Sequence, residues 1–251
     1  IIASDAISVL DQTKTFIALN DGDCADVTKD SIEIQDYDGN KVEREAKVLD
    51  IDPNAASKGT YEFYKLKEID EQPAVMRRLS TDYLDEAGKP VVDEKIVDAV
   101  SQADRIYIFA AGTSYHAGLV GKEIFEKFTG IPTEVGYASE AGYHFPMMSK
   151  HPFFIFLTQS GETADSRVVL TEANKRGIPS LTMTNVEGST LSREATYTML
   201  LNAGPEIAVA STKAYTAQVA LQAILAKAVG EKLGDQAAKD WNLKQGLSLA
   251  A

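Results

Sequence analysis

Beyond residue 104 the hydrophobic residues come in short unbroken runs, each closed by a turn and most followed by a stretch with helical spacing. Residues 105–110 (Arg-Ile-Tyr-Ile-Phe-Ala) predict a strand, Gly112-Thr113-Ser114 a turn, and residues 115–129 a helix. Residues 132–135 and 152–158 predict the next two strands, with a helix over 164–176. Residues 180–185 and 197–201 read as two more strands, and 212–229 as a long helix with apolar spacing. Strands that are apolar throughout and separated by helices need cover on both faces. The expected fold class is therefore α/β, a parallel sheet flanked by helices in three αβα layers.

The first fifty residues follow a different pattern. Residues 15–19 run into Asn20-Asp21-Gly22-Asp23, a strong turn signal, and residues 31–37 alternate at period two. Asp38-Gly39 then closes a hairpin into residues 41–43. Residues 51–60 read as a linker, and 61–71 as a short helix stopped by Pro73. Residues 74–86 and 91–100 read as two further helices. The expected division is a β-rich segment over 1–58, a linker over 59–75, an α/β domain over 76–235, and the start of a connection over 236–251. The sequence opens on Ile1-Ile2-Ala3-Ser4-Asp5 without Met, which reads as the inside of a domain, so a fragment is expected.

Of the 251 residues, 44% are hydrophobic and 25% charged, an ordinary soluble composition with no apolar run near the ~20 residues of a membrane helix. No signal segment opens the chain. One cysteine, Cys24, rules out an internal disulfide and a cysteine zinc cage, and is expected as a reduced, buried thiol of an intracellular chain. The three histidines show no ligand spacing, so no metal is expected, and Trp241 and the tyrosines read as core or interface. The net charge of −12 disfavours nucleic acid as a partner. An anionic metabolite must then be held by backbone N–H groups and hydroxyls.

Such groups gather in three segments at strand ends or helix starts: Ala111-Gly112-Thr113-Ser114, Thr158-Gln159-Ser160-Gly161-Glu162-Thr163, and Val209-Ala210-Ser211-Thr212-Lys213. The second is the most informative, with three hydroxyls in six residues and a glycine that would let a ligand approach the backbone. A strand entering a helix through such a turn offers free N–H groups to an anion, and the hydroxyls suit a sugar phosphate. Any one segment alone reads equally well as an ordinary helix cap or as a functional turn; three together are hard to attribute to capping. Glu162 reads as a first-turn acid pointing away from the ligand. Lys213, a cation in a first helical turn, opposes the helix dipole and implies a partner or a function. Neither Gly-x-Gly-x-x-Gly nor a P-loop is present, so no nucleotide cofactor is expected.

Gly112-Thr113-Ser114-Tyr115, the stretch from Thr158 to Asp165, and the stretch from Asn202 to Ala214 resemble the sugar isomerase (SIS) family. Within it they are similar to the first SIS domain of the isomerising glutamine–fructose-6-phosphate aminotransferases. Lys67-Glu68-Ile69-Asp70-Glu71-Gln72-Pro73 resembles the segment joining their glutaminase and isomerase parts, and residues 1–50 the last strands of the glutaminase domain. The resemblance implies that Thr158, Gln159, Ser160 and Thr163 hold the phosphate of fructose 6-phosphate. Thr113 and Ser114 would contact sugar or phosphate, and Val209 and Ser211 would line the sugar end. Ala111 stands where the family usually has Cys, and Thr158 where Ser is common. The glutaminase nucleophile and the family's acid/base Glu, ring-opening His and Schiff-base Lys have no counterpart here. Thus no catalytic residue is expected and the chain should bind without turnover. A homodimer in the cytoplasm, serving amino-sugar biosynthesis, completes the expectation. A non-catalytic sugar-phosphate sensor, or a related deglycase or isomerase, is the alternative; the stretch from Asn202 to Ala214 favours the aminotransferase.

Overall fold

The computed structural model describes residues 1–3, 9, 12–20, 22–48 and 57–251. Asp21 of the first turn and residues 51–56 of the expected linker lie outside them. The chain divides into two compact units, Ile1–Gly59 and Thr60–Ala251.

The first unit is built from five short strands: β1 (Thr15–Ile17), β2 (Cys24–Val27), β3 (Ile32–Gln35), β4 (Lys41–Val42) and β5 (Ala46–Val48). β1 pairs with β5, and β2-β3-β4 form an antiparallel sheet. Asp36 makes the hairpin turn by accepting from the N–H groups of Asp38 (3.0 Å) and Asn40 (2.9 Å). Arg44 donates to both oxygens of Asp23, each at 2.8 Å, and holds that carboxyl below its usual range. Cys24 is exposed, contrary to the buried thiol expected. It opens β2, an edge strand of a sheet whose strands bury Ile34 and little else, so there is no core for it to enter. β2 itself lacked the alternation that marked β3.

The second unit opens with helices α1 (Tyr64–Asp70), α2 (Gln72–Tyr83) and α3 (Glu94–Ser101). Pro73 does not stop a helix: it sits in the first turn of α2, where a missing N–H costs nothing. Asp93 caps α3 by accepting from the Lys95 N–H at 2.9 Å. Then follow β6 (Arg105–Ala110), α4 (Gly112–Thr129), β7 (Thr133–Tyr137), α5 (Ala138–Tyr143), β8 (Pro152–Leu157) and α6 (Ala164–Lys175). The remainder is β9 (Ser180–Thr184), α7 (Thr190–Glu194), β10 (Tyr197–Leu200), α8 (Lys213–Leu233), α9 (Gln236–Asp240) and α10 (Leu243–Leu249).

The five strands form one parallel sheet in the order β10-β9-β8-β6-β7. Successive side chains face opposite ways. Ile106, Ile108, Ala110, Phe153, Ile155 and Leu157 pack under α2, α3, α4, α8 and α10, while Tyr107, Phe109, Phe154 and Phe156 pack on α5, α6 and α7. Both faces are covered, which gives the three αβα layers. α8 is buried on most sides, and even Lys227 lies inside, its Nζ donating to Ala238 O at 2.6 Å and pairing with Glu231 at 2.7 Å.

β10 ends the sheet, so its outer backbone edge needs a partner. Tyr83 of α2 supplies one: its hydroxyl donates to Leu200 O (2.9 Å) and accepts from Leu200 N–H (3.0 Å). Burial pushes this phenol above its ordinary pKa. Tyr83→Phe removes both bonds at one stroke. We expect it to cost about 1–3 kcal/mol in denaturant unfolding. A loss below about 0.5 kcal/mol, the scatter of neutral surface changes, would show that water closes this edge equally well.

Candidate functional site

The strand order sets the site. The chain enters the sheet at β6, adds β7 on one side, and returns to place β8, β9 and β10 on the other. The carboxyl ends of β6 and β8 therefore face a crevice at the topological switch point, where ligands of open α/β sheets bind. The loops there are residues 111–114 and 158–163, two of the three hydroxyl-bearing segments.

Thr158 is buried, and its hydroxyl accepts from the Gly161 N–H at 3.1 Å and lies 3.0 Å from the Thr163 hydroxyl. Ser160 Oγ accepts from the Glu162 N–H at 3.1 Å. Thr163 occupies the N-cap of α6, yet its side chain caps nothing. With that hydroxyl turned to Thr158, the first N–H groups of α6 are left for an anion. Gln159 and Ser160 are half-buried at the rim.

Gly161 serves a different purpose from the one expected. A Cβ there would lie 1.9 Å from Ser189 Oγ and 2.4 Å from Ser189 Cβ, with φ at +72°. The space is filled by the protein's own loop, and Gly161 O accepts from Leu191 N–H at 2.9 Å. Glu162 also has a structural task, accepting from the Thr190 N–H at 2.8 Å.

On the other side of the crevice α4 starts at Gly112 with no side-chain cap. Thr113 is exposed. Ser114 is buried and its Oγ accepts from Gln218 Nε2 at 2.9 Å, which leaves the hydroxyl hydrogen to donate elsewhere. Tyr115 stacks on Tyr137 with ring centroids 3.7 Å apart.

The third segment is arranged differently. Glu206 Oε1 accepts from the N–H groups of Thr212 (2.8 Å) and Ala214 (3.2 Å), and Oε2 from Ser211 Oγ (2.8 Å). The amino end of α8 is thus occupied by the chain's own carboxylate, whereas that of α6 has no such cover. Val209 is fully exposed at the crest. Lys213 finds the partner that no local pattern could name: Glu71, at 2.5 Å, with the lysine side chain almost wholly buried.

Asn185, at the end of β9, is the residue that sequence reasoning passed over. Its N–H donates to Gln159 O (3.1 Å), its Nδ2 to Gly204 O (2.7 Å), and its Oδ1 accepts from Ala203 N–H (2.9 Å). It ties the phosphate-loop candidate to the third segment. An asparagine closing an apolar strand was the only available signal.

At the opposite, amino-terminal edge of the sheet lies a cleft of about 690 Å³ bordered by Gln102, Lys150, His151 and Arg176. It is roomy but lacks convergent hydroxyls or open helix starts, so chemistry and volume point to different ends of the sheet, and we follow the chemistry. Among the described residues no cluster of His, Cys, Asp or Glu is placed to hold a metal ion, and no helix is long and apolar enough to cross a membrane.

The parallel five-stranded sheet covered by helices on both faces agrees with the SIS domain, whose family model matches residues 99–228. The chain belongs to that family. Over its whole length it is 59% identical to a glutamine–fructose-6-phosphate aminotransferase (isomerizing) of Lactiplantibacillus plantarum, covering 42% of that protein. It is 58% identical to the enzyme of the same name from Streptococcus agalactiae, covering 41% of it. The chain thus spans about two fifths of the length of these relatives. Among solved structures, the C-terminal domain of glucosamine-fructose-6-phosphate aminotransferase from Francisella tularensis superposes with a TM-score of 0.71 at 32% identity, over 78% of this chain and 54% of that one. A glucosamine-6-phosphate deaminase from Thermotoga maritima shares the fold alone, with a TM-score of 0.58 at 18% identity over 74% of this chain and 52% of that one.

Proposed function

We propose that this chain is the fructose-6-phosphate-binding part of an isomerising glutamine–fructose-6-phosphate aminotransferase, which makes glucosamine 6-phosphate for amino-sugar biosynthesis. The observation that carries the reading is the 158–163 loop at the switch point, whose Thr163 hydroxyl is turned away from the α6 N–H groups. A phosphate there meets those N–H groups, the Ser160 and Thr163 hydroxyls and Gln159. Thr158, buried beneath, holds the loop in shape. Thr113 and Ser114 approach from the β6 side, Ser114 as a hydroxyl donor because Gln218 already donates to it. Val209 and Ser211 border the sugar end.

Three charged groups around these loops are committed. Glu162 and Glu206 accept backbone N–H groups and Lys213 is paired with Glu71. The site as built binds and orients, and proton transfer falls to residues elsewhere in the longer enzyme, so this chain alone should not turn over. The reading carries with it a homodimer, a cytoplasmic setting and a separate glutaminase part. A net charge of −12 sets nucleic acid aside.

Calorimetric titration with fructose 6-phosphate, against unphosphorylated fructose, tests it. The ester should bind and fructose should not. The double variant Ser160→Ala/Thr163→Ala should weaken the ester by at least tenfold, about 1.4 kcal/mol. Equal binding of both sugars, or an unaffected double variant, would remove the 158–163 loop from the site.

A further inference from the structure

The stretch Lys67-Glu68-Ile69-Asp70-Glu71-Gln72-Pro73 is not part of the crevice, yet its polar side chains converge on one edge of the site. Residues 202–212 connect β10 to α8 without helix or strand, and a loop of that length is ordinarily mobile. Here α1 and the start of α2 hold it down. Glu68 is buried, and its Oε1 accepts from two consecutive N–H groups, Ile207 at 2.6 Å and Ala208 at 2.9 Å. Lys65 Nζ donates to Ala210 O at 3.1 Å. Glu71 pairs with Lys213, and Gln72 accepts from the Thr216 hydroxyl. The crest residue Val209 is therefore bracketed by an anchor at Ala208 and another at Ala210.

We infer that α1 is a strap that sets the sugar-facing edge, with Glu68 as the positioning residue that fixes Val209 and Ser211 against the sugar while leaving the phosphate loop untouched. The inference rests on the sugar-phosphate reading above. Its physical basis is the geometry of Glu68. A carboxylate held by two backbone N–H groups makes charge-assisted bonds, and without it both donors lose their partner. The work is done by reach, since one oxygen serves both donors. The other oxygen, Oε2, is buried without a hydrogen-bond partner among the described residues, so a glutamine would keep the accepting oxygen at the cost of the charge and of a buried, unpartnered NH2.

Two conservative variants of this chain separate reach from charge. Glu68→Asp keeps the charge but withdraws the oxygen by one methylene. Glu68→Gln keeps the oxygen and gives up the charge. Titration with fructose 6-phosphate, with inorganic phosphate measured by its competition against it, is read beside amide hydrogen exchange at Ile207 and Ala208. Glu68→Asp should weaken fructose 6-phosphate by about tenfold, leave inorganic phosphate within about twofold, and speed exchange at both amides. Glu68→Gln, which leaves the accepting oxygen in place but gives up the charge and buries an amide NH2, should shift each readout in the same direction but clearly less, with fructose 6-phosphate weakened about threefold. Unchanged fructose 6-phosphate affinity in Glu68→Asp overturns the inference. So does an equal loss in Glu68→Gln, or a fall of phosphate in step with the sugar ester, which would mark a general loss of structure. An unaltered chain that binds neither ligand overturns the sugar-phosphate reading itself, and is told apart because it needs no variant to appear.

Discussion

Gly161→Ala should weaken sugar-phosphate binding about a hundredfold in a chain that remains folded. The added methyl group would fall 1.9 Å from Ser189 Oγ and 2.4 Å from Ser189 Cβ, and the backbone at φ +72° is one that alanine adopts only with strain. The Ser189 hydroxyl can rotate aside, but its Cβ cannot, so the 158–163 loop must shift. Shifting breaks the bond from Gly161 N–H to Thr158 and the one from Leu191 N–H to Gly161 O. The α6 N–H groups and the Ser160 and Thr163 hydroxyls then no longer converge. Losing two charge-assisted bonds to a phosphate, at roughly 1.5 kcal/mol each, weakens binding about a hundredfold. The fold survives because the loop stands at the rim of the sheet, outside both hydrophobic layers. Adding Ser189→Gly removes the clash but not the backbone strain, so the double variant should recover part of the affinity. Wild-type affinity in Gly161→Ala would show that the loop yields without cost and that its geometry is not what binds.

The sheet was readable because strands covered on both faces have no polar alternation to blur them. Each expected strand from β6 to β10 is present to within a few residues, and α4, α6 and α8 follow at their turns. The helices that went unread are short. α5 buries only Ala138 and Ala141, and α7 only Leu191, too few apolar positions to establish a helical period. Pro73 was misread because a proline that ends one helix and a proline in the first turn of the next look alike without knowledge of where the N–H groups go. Cys24 was placed inside on the habits of its residue type, in a unit with almost no inside.

For the candidate site, the hydroxyl-bearing turns could be proposed from sequence and their partners could not. Ser160 and Thr163 announce themselves by spacing alone. Glu71 and Lys213 are 142 residues apart, and Ser114 and Gln218 are 104 apart, so nothing local links them. Sequence analysis gave Lys213 either a partner or a function because a cation at a helix start is unfavourable; the fold supplies the partner, Glu71. The same limit applies to Gly161, where the requirement for glycine comes from Ser189, across the loop.

Gly230 makes a steric demand of this kind against backbone in the helical layer. It lies in α8 where that helix meets the end of α4 and the start of α9, and a Cβ there would come 2.2 Å from Phe128 O and 2.6 Å from Ala238 Cβ. In an open helix alanine is favoured over glycine by about 1 kcal/mol. Here the obstacle is backbone, which can move only if α4 and α8 part, and α8 is central to the layer that covers the aliphatic face of the sheet. Gly230→Ala should therefore destabilise the second unit by about 3 kcal/mol, the upper end for overpacking, and lower its melting temperature by roughly 10 °C. Gly246→Ala is the control. It makes the same chemical change within α10, where no atom lies within 4 Å of the new methyl group, and should leave the melting temperature unchanged or slightly raised. Thermal unfolding of the two variants side by side measures the difference. If Gly230→Ala melts with Gly246→Ala, the contact between α8 and α4 has slack, and close packing is not the reason for glycine at this position.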